Sequence, residues 1–193
     1  DQPRSRGLGD VYKRQIIFLA LFSIAFGQEV NLSPLRWGEG EIDKYIKMDT
    51  RAFPDNPIAI GKNGAVTTTF HSAASRAGLE ALNQGGSSVD AAMTAALTQI
   101  TLNAGSVISF FGVITMVHYD AVAGEMVSMD AAWNTVQDEL DPMSIPGPKL
   151  VDVNAMWNPR EVSGRTALVG GFIRGVEEAK AKYGRLPFRS LFD

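Results

Sequence analysis

Two predicted helices joined by a glycine pair constrain the fold of this chain more than any other feature. The first is predicted over residues 72–84, with Ser72 as its N-cap, because a serine side chain accepts a hydrogen bond from the first turn of a helix. Glycines 85–86 follow where a helix C-terminus favours glycine. Ser87 then opens a second helix over residues 89–102, which is apolar nearly all round and is therefore predicted to lie in the interior.

Strand patterns flank the helix pair on both sides. Residues 65–70 (AVTTTF) are short and β-branched, which predicts a strand before the first helix. Residues 112–119 (GVITMVHY) are apolar without alternation, which is typical of a strand covered on both faces. A turn at residues 120–124 and a further run at residues 125–129 predict that this strand folds back as a β-hairpin.

The other segments divide into an irregular lead-in, a loop and helices. Residues 30–63 have no sustained period and are predicted to be irregular, and the proline-bearing residues 137–159 are predicted to form a loop. Residues 172–183 form an amphipathic helical pattern that Gly184 closes, and Pro187 begins a last short helix. Helices beside apolar strands predict an α/β fold with a layered α+β architecture.

The N-terminus is predicted to carry two segments that do not belong to the folded domain. Residues 1–15 have no regular periodicity and end in a stretch that resembles adapter sequence, so we interpret them as non-native; a basic leader is the alternative. Residues 16–27 form an uncharged apolar run too short to span a bilayer, which is typical of the h-region of a signal peptide. Cleavage before Gln28 would leave residues 28–193 as an exported domain.

Composition excludes several classes of function. Lys and Arg number 18 and Asp and Glu 21, a net charge of −3, and we find no basic stripe with interleaved aromatic residues that would predict nucleic-acid binding. The chain has no cysteine, which excludes disulfides, thiolate zinc sites and cysteine nucleophiles. Its two histidines, His71 and His118, lack the spacing of a metal motif, so we predict no metal site.

Three stretches together resemble the large subunit of the γ-glutamyltranspeptidase family. Residues 72–92 (SAASRAGLEALNQGGSSVDAA) are similar to the helix-pair signature in the N-terminal part of that family. The hairpin at residues 116–130 resembles the next family element, and residues 170–188, with GGFIRGV and KYGRLPF at their ends, resemble the one after it. The order and spacing of all three agree with the family over residues 58–193.

The resemblance implies an N-terminal-nucleophile hydrolase, an αββα sandwich of which this chain holds part. Such a precursor cleaves itself, and the new N-terminal threonine acts as nucleophile with its own α-amine as base, so no cofactor is needed. The resemblance places that threonine beyond residue 193, in the remainder of the chain, which is the expected partner. It also implies a small-molecule amide or γ-glutamyl substrate and a periplasmic or extracellular location, with no membrane span after signal cleavage.

Two departures from the family pattern concern the predicted substrate pocket, one wall of which is expected near residues 110–134. A glycine-rich loop is replaced by residues 103–112, which keep two glycines and carry two adjacent phenylalanines. Ala132 replaces the family's arginine, which grips the α-carboxylate of a glutamyl group by charge-assisted hydrogen bonds. We interpret Trp133 and Asn134 as substrate-binding replacements; the alternative is that they simply end a strand.

These departures leave three hypotheses open. The first is a hydrolase or acyltransferase that acts when full length, on a γ-glutamyl or another amide substrate, and is inactive as this fragment alone. The second is an amidase similar to the cephalosporin acylases. The third is a non-catalytic binding or structural relative, because a fold by itself does not decide function.

Overall fold

The structure is a computed structural model that describes residues 29–49, 57–103, 108–145 and 164–193. The chain divides into two units after Asn31, and the architecture given below belongs to the second unit, from Leu32 onwards. The predicted non-native leader at residues 1–15 and the predicted signal segment at residues 16–27 lie outside the described residues.

Helices and strands both contribute to the described part of the second unit. Its α-helices are α1 (Glu41–Met48), α2 (Ser72–Asn83), α3 (Ser88–Leu102) and α4 (Phe172–Tyr183). Its strands are β1 (Ile58–Gly61), β2 (Gly64–Thr67), β3 (Ile114–Asp120) and β4 (Glu125–Ala131). These described strands form two separate antiparallel hairpins, β1–β2 and β3–β4. A 3₁₀-helix at Phe188–Phe192 follows α4, where the sequence predicts a last short helix.

The predicted helix pair forms the centre of this unit, and its connection is confirmed. Gly85 has a φ of 87°, a left-handed conformation that glycine adopts without strain after the end of α2. Ser87 caps α3 through a capping box: its N–H donates to the Asp90 carboxylate (2.8 Å), and the N–H of Asp90 donates to the Ser87 hydroxyl (3.2 Å). Most of α3 is buried, as its all-round apolar pattern predicts.

The N-cap predicted for the first helix is wrong. His71 occupies the N-cap of α2 without a side-chain cap bond, and Ser72 is the first helical residue. The N–H groups of Ser72 and Ala73 donate instead to the carboxylate of Asp49, at 2.6 and 3.3 Å. A carboxylate suits these unpaired donors and the positive end of the helix dipole. It comes from a distant part of the sequence, so no local pattern indicates it.

The lead-in is more ordered than its sequence pattern predicts. Both α1 and β1 form within residues 30–63, which the sequence predicts to be irregular. Tyr45 of α1 is buried in a cluster with Ala59, Ala73 and Leu79. With 8 residues, α1 is too short for a helical period to stand out, and its burial depends on contacts with α2.

The first hairpin is tight, and its second strand is shorter than predicted. Gly61 lies opposite Gly64, which leaves a two-residue turn between the strands. β2 ends at Thr67, whereas the sequence predicts a strand over residues 65–70. The Thr68 hydroxyl hydrogen-bonds the backbone and a serine at the start of α2, so the chain passes from strand to helix earlier than its β-branched run indicates.

The second hairpin confirms the predicted fold-back, with Asp120 opposite Glu125. The prediction that its first strand is covered on both faces is wrong for the described part of the chain. Residues of β3 alternate between half-buried and exposed, and Val117 is 72% exposed. The half-buried face lies against α4, and the described residues include no second layer for the other face.

Packing connects the elements in series. The β1–β2 hairpin lies against α2, α2 against α3, α3 against α4, and α4 against the β3–β4 hairpin. The side chains buried at these contacts are mostly small or aliphatic, and Ala74, Ala81 and Val176 are fully buried. The predicted mixed α/β class with layered helices and strands is confirmed. Within the described ranges, no helix has the length and apolar character that crossing a membrane requires.

Candidate functional site

The predicted pocket wall lies where β3 begins and β4 ends, beside the first turn of α4. Three segments meet there: residues 110–112, 131–134 and 169–172, which we call the junction. The second follows the hairpin that resembles the family, and the third contains the start of the GGFIRGV run. The junction therefore brings two family-like stretches together around the position of the missing arginine.

Backbone hydrogen bonds hold the junction together. Asn134 and Val169 exchange two backbone bonds, of 2.9 and 2.8 Å, as an isolated antiparallel bridge. The N–H of Phe172, the first residue of α4, donates to the carbonyl of Gly112 at 3.1 Å. These bonds attach both ends of the hairpin to the start of α4, so the geometry does not depend on the identity of the side chains that face solvent.

Glycines of the GGFIRGV run make this close approach possible. A Cβ on Gly171 would lie 2.5 Å from the carbonyl oxygen of Ala131, and a Cβ on Gly175 would lie 2.5 Å from a methyl group of Ile114. A Cβ on Gly170 would lie closer still to the carbonyl oxygen of Phe111. Larger residues would push α4 away from the hairpin, so these glycines have a packing role.

Trp133 and Asn134, the predicted substrate-binding residues, lie at the exposed end of β4. Trp133 is 56% exposed and Phe111 is 82% exposed, so two large aromatic side chains of the junction face solvent. The side-chain carbonyl of Asn134 accepts a hydrogen bond from the N–H of Thr135 at 2.9 Å. The geometry fits both interpretations of this pair, the end of a strand and a wall open to a ligand.

No cation replaces the missing arginine within the junction, all of whose residues are described and uncharged. Ala132 is exposed there, and the arginines on either side of the third segment are engaged elsewhere. Arg165 donates to both carboxylate oxygens of Glu139, at 2.7 and 2.8 Å, and these bonds lower the pKa of Glu139 to about 2. Arg174 pairs with two glutamates of its own helix.

The two histidines pack against different partners. The ring of His118 contacts that of Tyr183 at a tilt of 46°, with 4.7 Å between the ring centroids. His71 Nδ1 lies 3.6 Å from a carboxylate oxygen of Asp49, and Ser72 follows His71, which brings the three residue types of a hydrolase triad together. Ser72 is fully buried, however, and the described residues contain no group of three metal-ligating side chains.

Asp90 connects two of the family-like stretches. Its carboxylate is fully buried at the start of α3, and one oxygen accepts the N–H groups of Arg185 (2.7 Å) and Leu186 (3.3 Å) besides that of Ser87. Gly184 permits this approach, because a Cβ there would lie 2.6 Å from the second carboxylate oxygen. No local sequence pattern indicates this role of Asp90, since its partner Arg185 lies 95 residues away.

Arg76 is a second buried charge that sequence reasoning misses. Its guanidinium donates to Glu41 on α1 at 2.8 Å and to Glu80 on α2 at 2.9 Å, and it stacks over Trp37. Burial opposes the charge, but the bonds to the two carboxylates outweigh burial and raise the pKa of Arg76. The same bond lowers the pKa of Glu41. Arg76 therefore fastens the lead-in helix to the helix pair.

The described residues offer a scaffold and an exposed aromatic surface. Asp90 and Arg76 hold the scaffold, whereas Phe111, Trp133 and the Asn134 amide face solvent at the junction. Aromatic rings and a neutral amide suit an uncharged portion of a ligand better than a carboxylate. The described part of the junction can therefore form one wall of a pocket, and it contains no charged anchor.

Comparison with known protein families gives one match. The family described as gamma-glutamyltranspeptidase matches residues 74–193, which is more than half of the chain. The match includes all of the helix pair except its first two residues, both strands of the second hairpin, the junction and α4. No curated protein sequence matches this chain.

Solved structures similar to the chain include three transpeptidases. They are the γ-glutamyltranspeptidase from Pseudomonas nitroreducens complexed with L-DON (21% identity, TM-score 0.49), that from Helicobacter pylori (24%, 0.49) and the transpeptidase enzyme CapD from Bacillus anthracis (21%, 0.42). The alignments cover 68%, 70% and 66% of this chain and 37%, 37% and 35% of those chains. The chain thus spans little more than a third of the length of the structures that it matches.

Proposed function

The chain belongs to the γ-glutamyltranspeptidase family, and we propose that it forms the N-terminal part of the large subunit of an exported N-terminal-nucleophile hydrolase or acyltransferase. The observation that carries the proposal is the contact at Asp90, where the helix-pair signature meets the YGRLP run. Two stretches that resemble the family are thereby packed into one scaffold. Because one scaffold can support many functions, the activity depends on the chemistry of the junction as well.

In this proposal the chain supplies the scaffold and one pocket wall, and the remainder of the protein supplies the reacting groups. The nucleophile is a threonine beyond residue 193, released by self-cleavage of the precursor. Its α-amine takes the hydroxyl proton as the oxygen attacks the amide carbonyl, and it then gives that proton to the substrate nitrogen, which leaves as a neutral amine while the acyl-enzyme forms. Water or an amino acid then accepts the acyl group, and hydrogen-bond donors of the protein stabilise the oxyanion without a cofactor.

The junction favours an amide substrate whose acyl group lacks a free α-carboxylate. Ala132 offers no charge where the family uses an arginine, and the junction contains no other cation. A carboxylate placed there would lose its hydration without gaining a charged partner. Phe111 and Trp133 instead present apolar rings, and Asn134 presents a neutral amide. These groups favour an amide whose acyl part has no α-carboxylate over a γ-glutamyl amide.

Expression of the full-length gene tests the enzymatic proposal. The product, run on a denaturing gel with N-terminal sequencing, is expected to give two bands, the smaller of which begins with threonine. A variant with alanine in place of that threonine is the control and is expected to stay uncleaved. The present 193-residue chain alone is expected to release no product from either substrate described next.

Substrate preference is tested with two anilides, one γ-glutamyl and one with the same chain but no α-carboxylate. The wild-type protein is expected to prefer the second by kcat/KM, and Ala132→Arg is expected to shift the preference toward the γ-glutamyl anilide. Ser128→Arg, an exposed position earlier on β4, is the matched control and is expected to leave the preference unchanged. A wild-type protein that prefers the γ-glutamyl anilide would contradict the specificity proposed here.

Export is a separate part of the proposal and rests on the apolar run at residues 16–27. N-terminal sequencing of the full-length protein from a periplasmic or culture fraction is expected to begin at Gln28. Gln28 as the first residue would also show that residues 1–15 do not remain in the mature protein. A protein that stays in the cytoplasm with residues 16–27 attached would contradict export and leave the enzymatic proposal standing.

A non-catalytic relative is the second candidate function, and the loss of the carboxylate-gripping arginine at Ala132 favours it. In that case the scaffold and the aromatic junction bind a ligand without reacting with it. A single uncleaved full-length band, with no threonine at the expected cleavage point, is the result that would establish this alternative.

A further inference from the structure

The chain between β4 and α4 is closed at two levels beside the junction. It leaves the junction at Asn134 and returns at Val169, where the antiparallel bridge joins these two residues. A second closure follows a few residues further along, where Arg165 pairs with Glu139. The residues bonded at this second closure, which we call the latch, are Glu139, Asp141, Ser144 and Arg165.

The guanidinium of Arg165 makes a two-pronged contact with the Glu139 carboxylate. Its Nε donates to one oxygen at 2.7 Å, and its Nη2 donates to the other at 2.8 Å. Nη2 also donates to the carbonyl of Asp141 at 3.0 Å and to the hydroxyl of Ser144 at 2.9 Å. The Glu139 side chain is only 6% exposed, and it accepts a further bond from the N–H of Asp141 at 2.9 Å. Most surface ion pairs contribute little to stability, but a bidentate pair within a bonded network is the exception.

The turn before the latch has an unusual backbone conformation. Asp138 has a φ of 64°, and it is the one non-glycine residue with a positive φ in the described part of the chain. Aspartate adopts this left-handed conformation more readily than most residues, but still at a cost. Because Asp138 immediately precedes Glu139, this conformation sets the direction in which the chain enters the latch. The bonds of the latch offset its cost.

The bridge alone is a weak closure. It consists of two backbone hydrogen bonds between exposed residues, and bonds of this kind open readily by local fluctuation. Its two residues lie far apart in the sequence, so closing the bridge by itself restricts a long segment at an entropic cost. Once the latch has formed, only residues 135–138 and 166–168 remain to be ordered between the two closures. The latch therefore raises the fraction of molecules in which the bridge is closed.

The bridge in turn sets the position of the two predicted substrate-binding residues. Trp133 directly precedes the bridge, and its side chain has no hydrogen-bond or ring partner among the described residues. Asn134 is one half of the bridge, and its side chain accepts a bond from the adjacent N–H of Thr135. No other element fixes the direction of these side chains, as far as the structure describes the chain. Their orientation therefore follows the backbone that the bridge holds.

We propose that Arg165 is a positioning residue: by binding Glu139 it keeps the bridge closed, and it thereby holds Trp133 and Asn134 in the orientation in which they contact the acyl part of the substrate. This inference rests on the proposed function, because it concerns the same pocket wall. A wall that is ordered before the substrate arrives lowers the cost of binding. Arg165 acts on substrate binding more than on the reaction step, because the reacting groups lie in the remainder of the protein.

Steady-state kinetics of the processed full-length protein tests this role with the anilide that lacks an α-carboxylate. Arg165→Ala is expected to raise KM by about threefold to fivefold and to change kcat by less than about twofold, because a wall ordered in advance is lost. Glu139→Ala is expected to have the same effect, and the double variant no larger one, since either substitution removes the latch. Arg174→Ala is the matched control and is expected to leave KM unchanged, because Arg174 also binds two carboxylates but lies outside the latch.

Amide exchange in the same proteins tests the connection to the bridge. In Arg165→Ala the amides of Asn134 and Val169 are expected to exchange about fivefold faster or more, and in Arg174→Ala as in the wild type. Added to Trp133→Ala, Arg165→Ala is expected to raise KM less than it does alone, since it acts through the wall. Self-cleavage shows that a variant folds. Arg165→Lys, which keeps the charge but loses the two-pronged contact, replaces Arg165→Ala if that variant is not processed.

Faster exchange with an unchanged KM would overturn the proposal, because the latch would then stabilise its own segment and nothing more. A lower kcat at an unchanged KM would also overturn it, since that pattern reports less active protein. Equal rises in KM for Arg165→Ala and Arg174→Ala would do the same. If the wild-type protein releases product from neither anilide, the proposed function fails and the substrate role of Arg165 fails with it. Exchange of the bridge amides then still decides whether the latch keeps the bridge closed.

Discussion

The helix pair and the second hairpin reach their structures by different means. In the helix pair, buried charged groups at Asp90 and Arg76 join distant parts of the chain through several hydrogen bonds each. In the hairpin, β3 leaves one face exposed, and glycines let α4 approach the backbone closely. The first arrangement fixes a scaffold, and the second leaves side chains at the junction free to serve a ligand. Substitution of the buried charges should therefore lower stability, whereas substitution of the exposed side chains at the junction should change ligand binding and leave stability nearly unchanged.

The largest effect is expected from Asp90→Ala. The substitution leaves the N–H groups of Ser87, Arg185 and Leu186 without their acceptor and removes the capping box of α3, at a cost of about 3 kcal/mol in the free energy of unfolding. Urea denaturation of the 193-residue chain measures it. Asp130→Ala, at an exposed position of β4, is the matched control and is expected to change stability by less than about 0.5 kcal/mol. Similar losses in both variants would remove the distinction between the two regions.

The next largest effect is expected from Gly171→Ala at the start of α4. The added Cβ would lie 2.5 Å from the carbonyl oxygen of Ala131, so the helix and the hairpin must separate, and we expect a loss of about 2 kcal/mol. Gly164→Ala is the control, because a Cβ there meets nothing within 4 Å. The same denaturation experiment compares the two. If Gly171→Ala costs no more than Gly164→Ala, close backbone approach does not hold the hairpin in place.

The sequence predicts the local features of both regions better than the contacts between them. The glycine turn at Gly85, the start of the second helix after Ser87 and the second hairpin follow from patterns within a few residues, and all are observed. The cap that Asp49 gives to α2 and the bonds of Asp90 to Arg185 join residues far apart in the sequence, so periodicity does not reveal them. The exposure of one face of β3 could not be predicted for a similar reason. Burial of a strand depends on which layers cover it, and a local pattern does not specify those layers.

The candidate site was predictable to the same extent. The resemblance locates Ala132, Trp133 and Asn134 at the end of a strand, and the structure places them there. The bridge from Asn134 to Val169 and the dependence of the junction on Gly171 join segments that no local motif connects. The role of Trp133 and Asn134 in substrate binding stays a prediction, because exposure is compatible with a ligand wall and with a simple strand end.

Acid offers a way to loosen the segment after the hairpin. The pKa of Glu139 falls from 4.5 to about 2 in the folded state, mainly through its hydrogen bonds with Arg165. A pKa that is lower in the folded than in the unfolded state stabilises the fold above pH 4.5, and this stabilisation is lost as the pH falls through about 2. Amide exchange at residues 139–144 is expected to accelerate over that range, and Glu139→Gln is expected to remove this dependence.

The helix pair provides the control for the acid experiment. The pKa of Glu41 is also lowered by Arg76, so the contact between α1 and α2 weakens in the same direction as the pH falls. Glu41→Gln is expected to flatten the pH dependence of amide exchange in α1 and to leave that of residues 139–144 unchanged. An effect of Glu139→Gln on α1 would show that the two ion pairs are coupled, contrary to the separation of the two regions.

The smallest effect on stability, and the most informative for function, is expected from Trp133→Ala. Trp133 is 56% exposed, so its removal is expected to change the free energy of unfolding by less than about 0.5 kcal/mol. In the processed full-length protein the same substitution is expected to raise KM for the anilide that lacks an α-carboxylate by about threefold to tenfold, because an aromatic wall of the pocket is lost. Tyr119→Ala is the matched control, since Tyr119 is 58% exposed on β3 and lies outside the junction. A rise in KM confined to Trp133→Ala would identify the junction as a substrate wall, whereas equal KM values in both variants would leave Trp133 as the end of a strand.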